Sequence, residues 1–365
     1  MKITDIKTIG LECPFGHRGG PNASGGRWKT LSTVLVEVST DAGITGYGEA
    51  FSYNCRRAVQ AAVEDMIAPH AIGQDARDIA GLNHRIQKAL HLFGRGGITI
   101  YALSGLDIAL WDIAGKAAGL PVHRLLGGPS HDWLEGYASL YRFADVESVE
   151  TNCRRAIDEG FNYIKLHEIT EPEVRAARKT VGDSTAIMID TNCPWTPAEA
   201  RRAAAWMKPY DPYWLEEPIF APEDYPALAR LRRECGIPLA AGENICTSYA
   251  FQAMFAAGAV DYAQPSVTKV GGITEFRKII ALAETQGVTV VPHSPYFGPG
   301  FLATLQLMAA QPDAGLVESY YLDPEAKLYG DLNAPVDGGF RVPEGPGLGA
   351  DPDPAVIARY RVDGG

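Results

Sequence analysis

Three acidic residues stand at intervals of 26 and 27 positions, each closing a short apolar run: Asp190 after Ala186-Ile-Met-Ile, Glu216 after Tyr213-Trp-Leu, and Glu243 after Leu239-Ala-Ala-Gly. Carboxylates brought together repel, by about 4 kcal/mol for a pair roughly 4 Å apart at an effective dielectric of ~20, so a bare trio partly protonates. A hard divalent cation with oxygen ligands removes that cost, with Mg²⁺ the first choice. Basic groups follow the same pattern. Lys165-Leu-His167 ends another apolar run, and strand alternation turns Lys165 and His167 to one face and Leu166 to the other. His293, in Val290-Val-Pro-His293, closes a later run and approaches from the opposite side, while Glu318, in Gly315-Leu-Val-Glu318, adds a neutral acid or hydrogen-bond donor. A cation flanked by bases on two sides suits the removal of a proton on one face and its delivery on the other.

An interval of that size holds one strand, one helix and two loops, which places successive strand ends on one rim of a (β/α)₈ barrel. Eight apolar segments recur from Leu134 onward: Leu134 to Leu140, Tyr163 to His167, Ala186 to Asn192, Trp214 to Pro218, Leu239 to Asn244, Tyr262 to Ser266, Val288 to Ser294 and Gly315 to Ser319. Stretches between them, such as Pro197 to Met207 and Ile273 to Gln286, carry apolar residues three and four apart and predict helices. The first 125 residues read differently, as a strand meander (Met1 to Gly10, Thr33 to Ser39, Ile44 to Ala50) with helices over Arg56 to Ala71 and Ile98 to Ala118. The expected fold class is therefore α/β. A TIM-type (β/α) barrel over 127–325 follows an N-terminal α+β capping domain over 1–126. A C-terminal segment, 326–365, completes the cap with a strand at Gly339 to Val342.

Between the first two strands lies Pro14-Phe-Gly-His-Arg-Gly-Gly-Pro-Asn-Ala-Ser-Gly-Gly-Arg-Trp28, with five glycines. Such a loop beside a barrel mouth is a candidate lid, with His17, Arg18 or Arg27 facing an anion. Apolar content of 46% and charged content of 21% suit a globular protein, and a net charge of −11 argues against nucleic-acid and anionic-membrane partners. No run of 18 apolar residues occurs and the first residues lack a signal-peptide core, so a cytoplasmic location is expected. Six cysteines are scattered without a C-x-x-C pair, which indicates neither a disulfide framework nor a thiolate zinc site. Cys193 and Cys246, just past two strand ends, are candidates for the pocket wall. Leu134 to Leu140 contains no histidine, against the H-x-H of a zinc hydrolase on this barrel.

The chain resembles the enolase superfamily, in its mandelate racemase/muconate lactonizing enzyme-like family and mandelate racemase-like group, over nearly its whole length. The resemblance is carried by Leu106-Asp-Ile-Ala-Leu-Trp-Asp-Ile-Ala-Gly-Lys-Ala, Pro121-Val-His-Arg-Leu-Leu-Gly-Gly, Gly160-Phe-Asn-Tyr-Ile-Lys-Leu-His, Asp190-Thr-Asn192, Trp214-Leu-Glu-Glu-Pro, Gly242-Glu-Asn and Val267-Thr-Lys-Val-Gly-Gly-Ile-Thr-Glu. It implies Asp190, Glu216 and Glu243 as ligands of Mg²⁺. Sites of this superfamily pair a Lys or His base with the ion on an ene-diolate, a property of the family and not a reading of these residues. It further implies Lys165 against the substrate carboxylate, Asn192 as a further contact, and a homo-oligomer, dimer or octamer; strand-end Glu318 and the loop residues His17 and Arg18 are further candidate substrate contacts by their positions. Two positions depart from the family pattern. His167 stands where a second lysine is common, and Ser266 stands where an aspartate often orients the seventh-strand histidine.

The expected activity is that of a Mg²⁺-dependent lyase. His167 or Lys165 abstracts the proton α to a carboxylate, and His293 assists loss of a β hydroxyl from a small hydroxy acid or acid sugar. A racemase, epimerase or cycloisomerase shares the same intermediate, and a barrel that binds a metabolite without turnover is the non-enzymatic alternative. Replacing Glu216→Gln is expected to abolish both Mg²⁺ binding and turnover. Calorimetric titration with Mg²⁺ and a product assay check this, and full activity in the variant would refute the scheme.

Overall fold

The computed structural model describes residues 1–16, 18 and 28–362. Alternation of apolar and polar residues near the N-terminus builds an antiparallel sheet from Ile3–Gly16, Thr30–Thr40 and Thr45–Ala50, in which Ile9 pairs with Leu35 and Leu35 with Glu49. Helix Ile98–Ala118 lies against it at backbone distance. A Cβ on Gly48 would come within 1.9 Å of the Gly105 carbonyl oxygen, so only glycine admits the helix there. Among the described residues this is the one helix long and apolar enough to cross a membrane, and 78% of that stretch is buried inside the protein. The helix expected over Arg56 to Ala71 is present, with a widened turn at Ala62–Ile67. A further helix, Ile79–Ala89, was not anticipated; Asp78 caps it by accepting from the Gly81 amide at 3.2 Å.

Eight parallel strands form the second sheet: Trp133–Ser139, Tyr163–Leu166, Ala186–Asp190, Leu215–Glu216, Leu239–Ala241, Tyr262–Ala263, Thr289–Val290 and Val317–Tyr320. The first seven pair with their neighbours in chain order, and the eighth pairs with the first, with Val317 opposite Gly136. The seventh and eighth meet where Gly315 leaves no Cβ to strike the Val290 carbonyl, 2.2 Å away, and where the Ser294 amide donates to Glu318 Oε2 at 2.9 Å. Tyr137, Met188, Trp214, Ala240 and Val291 fill the centre, so the barrel is a packed core with its chemistry confined to one rim.

The tail ties both layers together. Asp323–Pro324 pairs with the first cap strand, and the Val362 amide donates to the Gly10 carbonyl at 2.9 Å. The expected tail strand, Gly339–Arg341, pairs with the first barrel strand and not with the cap, placing Phe340 opposite Leu134. Its ring packs edge-on against Phe301 with centroids 4.8 Å apart, and that apolar burial is what draws the strand to the barrel.

One buried polar clamp holds cap on barrel. Asp107, on the long cap helix, accepts from the Thr274 amide at 2.9 Å and from Asn83 Nδ2 at 2.8 Å, and Asn83 also donates to the Gly271 carbonyl. Gly272, at φ +81°, opens the barrel helix Gly272–Gln286, and a Cβ there would lie 2.3 Å from Asp107 Oδ1. Gly272→Ala is expected to cost about 2–4 kcal/mol, from left-handed strain plus displacement of the clamp. Denaturant unfolding measures this, and an unchanged midpoint would contradict it.

Candidate active site

The eight strands point their C-terminal ends at a cavity of about 520 Å³ between barrel and cap, lined by Lys165, His167, Asp190, Asn192, Glu243, His293 and Glu318. Glu216 lies just beneath this lining, fully buried. Past the carboxylates the backbone turns sharply. Asn192, Cys193 and Glu217 adopt φ of 54°, 55° and 43°, strain that clusters where strands end and side chains must be aimed. The bend at Asn192 lets its amide and its Nδ2 both donate to Asp190 Oδ1 at 3.0 Å.

Lys165 occupies the centre of the charge cluster. Its Nζ lies 2.9 Å from Glu216 Oε1, 3.1 Å from Glu318 Oε1 and 3.4 Å from Asp190 Oδ2, with all four side chains essentially without solvent exposure. Burial alone would lower the Lys165 pKa, but Glu216 and Glu318 hold it well above the usual lysine value. Burial likewise opposes ionisation of Asp190, yet Lys165 and His167 pull it below the ordinary carboxylate range. Glu216 is pushed well above that range by burial and by Asp190, even though Trp214 Nε1 donates to its Oε2 at 2.9 Å. Glu318 corrects one expectation: its burial is outweighed by Lys165 and His293, so it is an ionised acceptor and not a neutral acid.

Two histidines flank the carboxylates. His167 Nε2 lies 3.1 Å from Asp190 Oδ2, and its Nδ1 meets the Leu140 carbonyl at 2.5 Å. His293 Nε2 lies 3.1 Å from Glu243 Oε2, and its Nδ1 is 3.1 Å from Ser266 Oγ. Burial lowers the His293 pKa to about 3, partly opposed by Glu318.

Arg18 is not brought into the cavity. It pairs with Glu159 and Asp323, each at 3.0 Å, and lies over the Tyr321 ring, so its charge is already matched by two carboxylates. His17 and Arg27 lie outside the described residues. Cys193 and Cys246 do not line the pocket: Cys193 Sγ turns to Glu217 Oε2 at 3.3 Å, and Cys246 Sγ accepts from the Gly97 amide at 3.4 Å.

Several cavity residues escaped sequence reasoning. Arg142 donates from Nε to the His167 carbonyl and from Nη2 to Asn192 Oδ1 at 3.2 Å, so it buttresses two cavity residues at once. Lys269 donates to the Glu243 carbonyl at 2.9 Å and lies 4.3 Å from the Phe51 ring centroid. Opposite the charged floor stands an aromatic roof of Trp28, Phe51, Tyr53, Tyr101, Tyr141 and Tyr320, in which Trp28 joins Tyr53 of the cap to Tyr141 and Tyr320 of the barrel. The six roof residues come from five separate parts of the chain. The one available signal was a tyrosine at or just past the end of the last and first barrel strands, Tyr320 and Tyr141.

Comparison with known proteins agrees with this geometry. Residues 148–356 match the family model described as enolase C-terminal domain-like, and residues 21–127 match that of the mandelate racemase / muconate lactonizing enzyme N-terminal domain. The chain is 34% identical to the D-galactarolactone cycloisomerase of Agrobacterium fabrum over 99% of both chains. It is 32% identical to the arabinonate dehydratase of Saccharolobus solfataricus, over 98% of this chain and 99% of the relative. A crystal structure of a racemase from Streptomyces coelicolor with bound magnesium superposes with a TM-score of 0.88 at 31% identity, covering 99% of this chain and all of the other.

The carboxylates suit such an ion. Asp190, Glu216 and Glu243 each offer an oxygen, and the three atoms lie within 4.8 Å of one another, an all-oxygen donor set of the kind Mg²⁺ selects. Trp214 orients Glu216 from behind. Trp214→Phe removes that donor and is expected to weaken Mg²⁺ binding roughly 10-fold without loss of fold. Calorimetric titration alongside circular dichroism checks the expectation, and unchanged affinity would contradict it.

Proposed function

Because this chain belongs to the mandelate racemase/muconate lactonizing enzyme family of the enolase superfamily, whose enzymes use Mg²⁺, we propose that it dehydrates a small acid sugar by removing the proton α to its carboxylate. The observation that carries this reading is the placement of two histidines against different carboxylates of one triad, His167 at Asp190 and His293 at Glu243. A base on one side and a proton donor on the other is what β-elimination of water needs.

Asp190, Glu216 and Glu243 would hold Mg²⁺, which when bound supplies neutralisation of the charge on the substrate carboxylate. Lys165 adds a fixed positive charge beside that carboxylate. Its surrounding acids keep it protonated, so it serves as an electrostatic partner and not as the base. His167 donates Nδ1–H to the Leu140 carbonyl, which turns Nε2 toward Asp190 Oδ2, and with Asp190 committed to the ion Nε2 would be the acceptor for the α proton. Arg142 holds the backbone carbonyl of His167 and the amide of Asn192, keeping the base and a substrate-facing amide in register. His293 Nε2 then delivers a proton to the departing β oxygen. The aromatic roof excludes water and offers ring faces to the C–H faces of a sugar and tyrosine hydroxyls to its oxygens.

A second reading, isomerisation through the same enolate, is favoured by one observation. Burial holds His293 neutral, its pKa lowered to about 3, and a neutral ring facing the cavity accepts a proton more readily than it gives one. Incubation with Mg²⁺ and a library of acid sugars and their lactones in D₂O distinguishes the readings. Deuterium entering α to the carboxylate with loss of a mass equal to water is the expected result. Exchange at unchanged mass would establish isomerisation, and absence of exchange with every compound would refute both. His167→Gln is expected to lower kcat by at least about 100-fold.

A further inference from the structure

One carboxyl reaches the cavity from the cap. Among the described residues of the lining, Asp190, Glu243 and Glu318 come from the barrel, and Glu49 comes from the last strand of the cap sheet, Thr45–Ala50. Phe51, two residues on, belongs to the aromatic roof, so Glu49 stands on the side opposite the charged floor. It takes no part in the proton transfers of the proposed reaction.

Glu49 is buried, 5% exposed, where the cap meets the barrel helix Pro299–Ala309. Its Oε2 accepts from the Gly300 amide at 2.8 Å, in the first turn of that helix. Glycines make the seat: a Cβ on Gly298 would lie 2.6 Å from Oε2, and one on Gly300 3.0 Å. The helix dipole favours an anion there, which accounts for one oxygen of the carboxyl. The other oxygen is not accounted for. Among the described residues nothing donates to Oε1, and an amide side chain would accept from Gly300 equally well without burying an ionisable group. No cation steadies the group either. Burial raises its pKa to about 7, opposed by the Gly300 amide alone. Tyr296 and Tyr329, which feel its charge, are held by burial well above the usual tyrosine pKa and stay neutral. Arg142 and Lys269 are turned to barrel oxygens, Arg142 to the His167 carbonyl and Asn192, Lys269 to the Glu243 carbonyl. A buried acceptor with an unmatched oxygen at a cavity wall suits a ligand that brings its own O–H.

We propose that Glu49 is a specificity-determining residue, whose carboxylate accepts a hydrogen bond from a hydroxyl at the end of the acid sugar remote from its metal-bound carboxylate, and so selects aldonates over aldarates. This rests on the acid-sugar reading above and narrows it to one subclass. An aldonate ends in a primary alcohol, which donates to Oε1. An aldarate ends in a second carboxylate, which has no proton to give and sets a like charge against Glu49 in a place shielded from water.

Calorimetric titration of the Mg²⁺-loaded, full-length protein with matched pairs tests this: D-galactonate against galactarate, D-gluconate against D-glucarate, and D-mannonate against D-mannarate. Members of a pair share their hydroxyl configuration and differ at the terminal carbon. The titrations are run at about pH 8.5, where an acid of pKa about 7 is ionised. At least one aldonate is expected to bind about 10-fold or more tightly than its aldarate. Glu49→Gln keeps an acceptor for the Gly300 amide and turns an N–H₂ to the cavity. It is expected to fold normally by circular dichroism while the preference falls to about threefold or reverses, chiefly through tighter aldarate binding. An aldarate held as tightly as its aldonate by the unsubstituted protein overturns the proposal. So does an unchanged preference in Glu49→Gln, which would leave the carboxyl a helix cap and nothing more, and so does failure of every aldonate to bind. Binding needs no turnover: selective aldonate binding without α-deuterium exchange would refute the proposed reaction and leave this inference standing, whereas exchange with aldarates alone would do the reverse.

Discussion

One buried ammonium balances the rim of this barrel. Lys165 meets Glu216, Glu318 and Asp190 within 3.4 Å, in a place where none of the four groups has appreciable water. Carboxylates gathered this tightly repel by about 4 kcal/mol per pair at 4 Å and an effective dielectric of ~20, so the arrangement holds together only around positive charge. Lys165 supplies part of it and a divalent ion the rest. With Glu216 pushed well above its ordinary pKa and Asp190 held well below, one lysine does not satisfy the whole group, and that residual strain is what makes the site a receptor for a cation.

Strand geometry answers to the same constraint. Charges that repel must be delivered by rigid supports: Asp190 and Glu216 end strands pinned directly opposite each other in a parallel ladder, and Glu243 stands two residues past the strand Leu239–Ala241. Beyond them the chain bends through unfavourable backbone angles at Asn192 and Glu217, which turn polar side chains back toward the acids. The cap closes the other side. Its long helix reaches the barrel through Asp107, seated over the glycine pair at 271 and 272, and its aromatic residues form a roof over the charged floor. Excluding water strengthens every electrostatic interaction beneath that roof.

Much of this was legible in the residue order. Strand ends, the acidic triad and the Lys165–His167 pair follow from short-range periodicity, because a strand alternates its faces and a barrel repeats its unit. Roles set by surroundings were not legible. Glu318 looked like a neutral acid and is an ionised partner of Lys165, since its state depends on a residue more than 150 positions away. Arg18, in a glycine-rich loop beside the mouth, looked like an anion ligand and instead pairs with Glu159 and Asp323, carboxylates that no local pattern reveals.

Taken alone, the sequence determined the architecture, the family and the atoms available to a metal, because these depend on spacing that local geometry enforces. The tertiary structure decided which groups are charged, which way each ring faces and what covers the site. Ser266 shows the division clearly: its identity is plain in the chain, but its meaning comes from Tyr296 and His293, residues 30 and 27 positions on, which approach it only when the sixth and seventh strands lie side by side. Ionisation and hydrogen-bond direction are set by neighbours in space and by burial, and neither exists until the chain has folded.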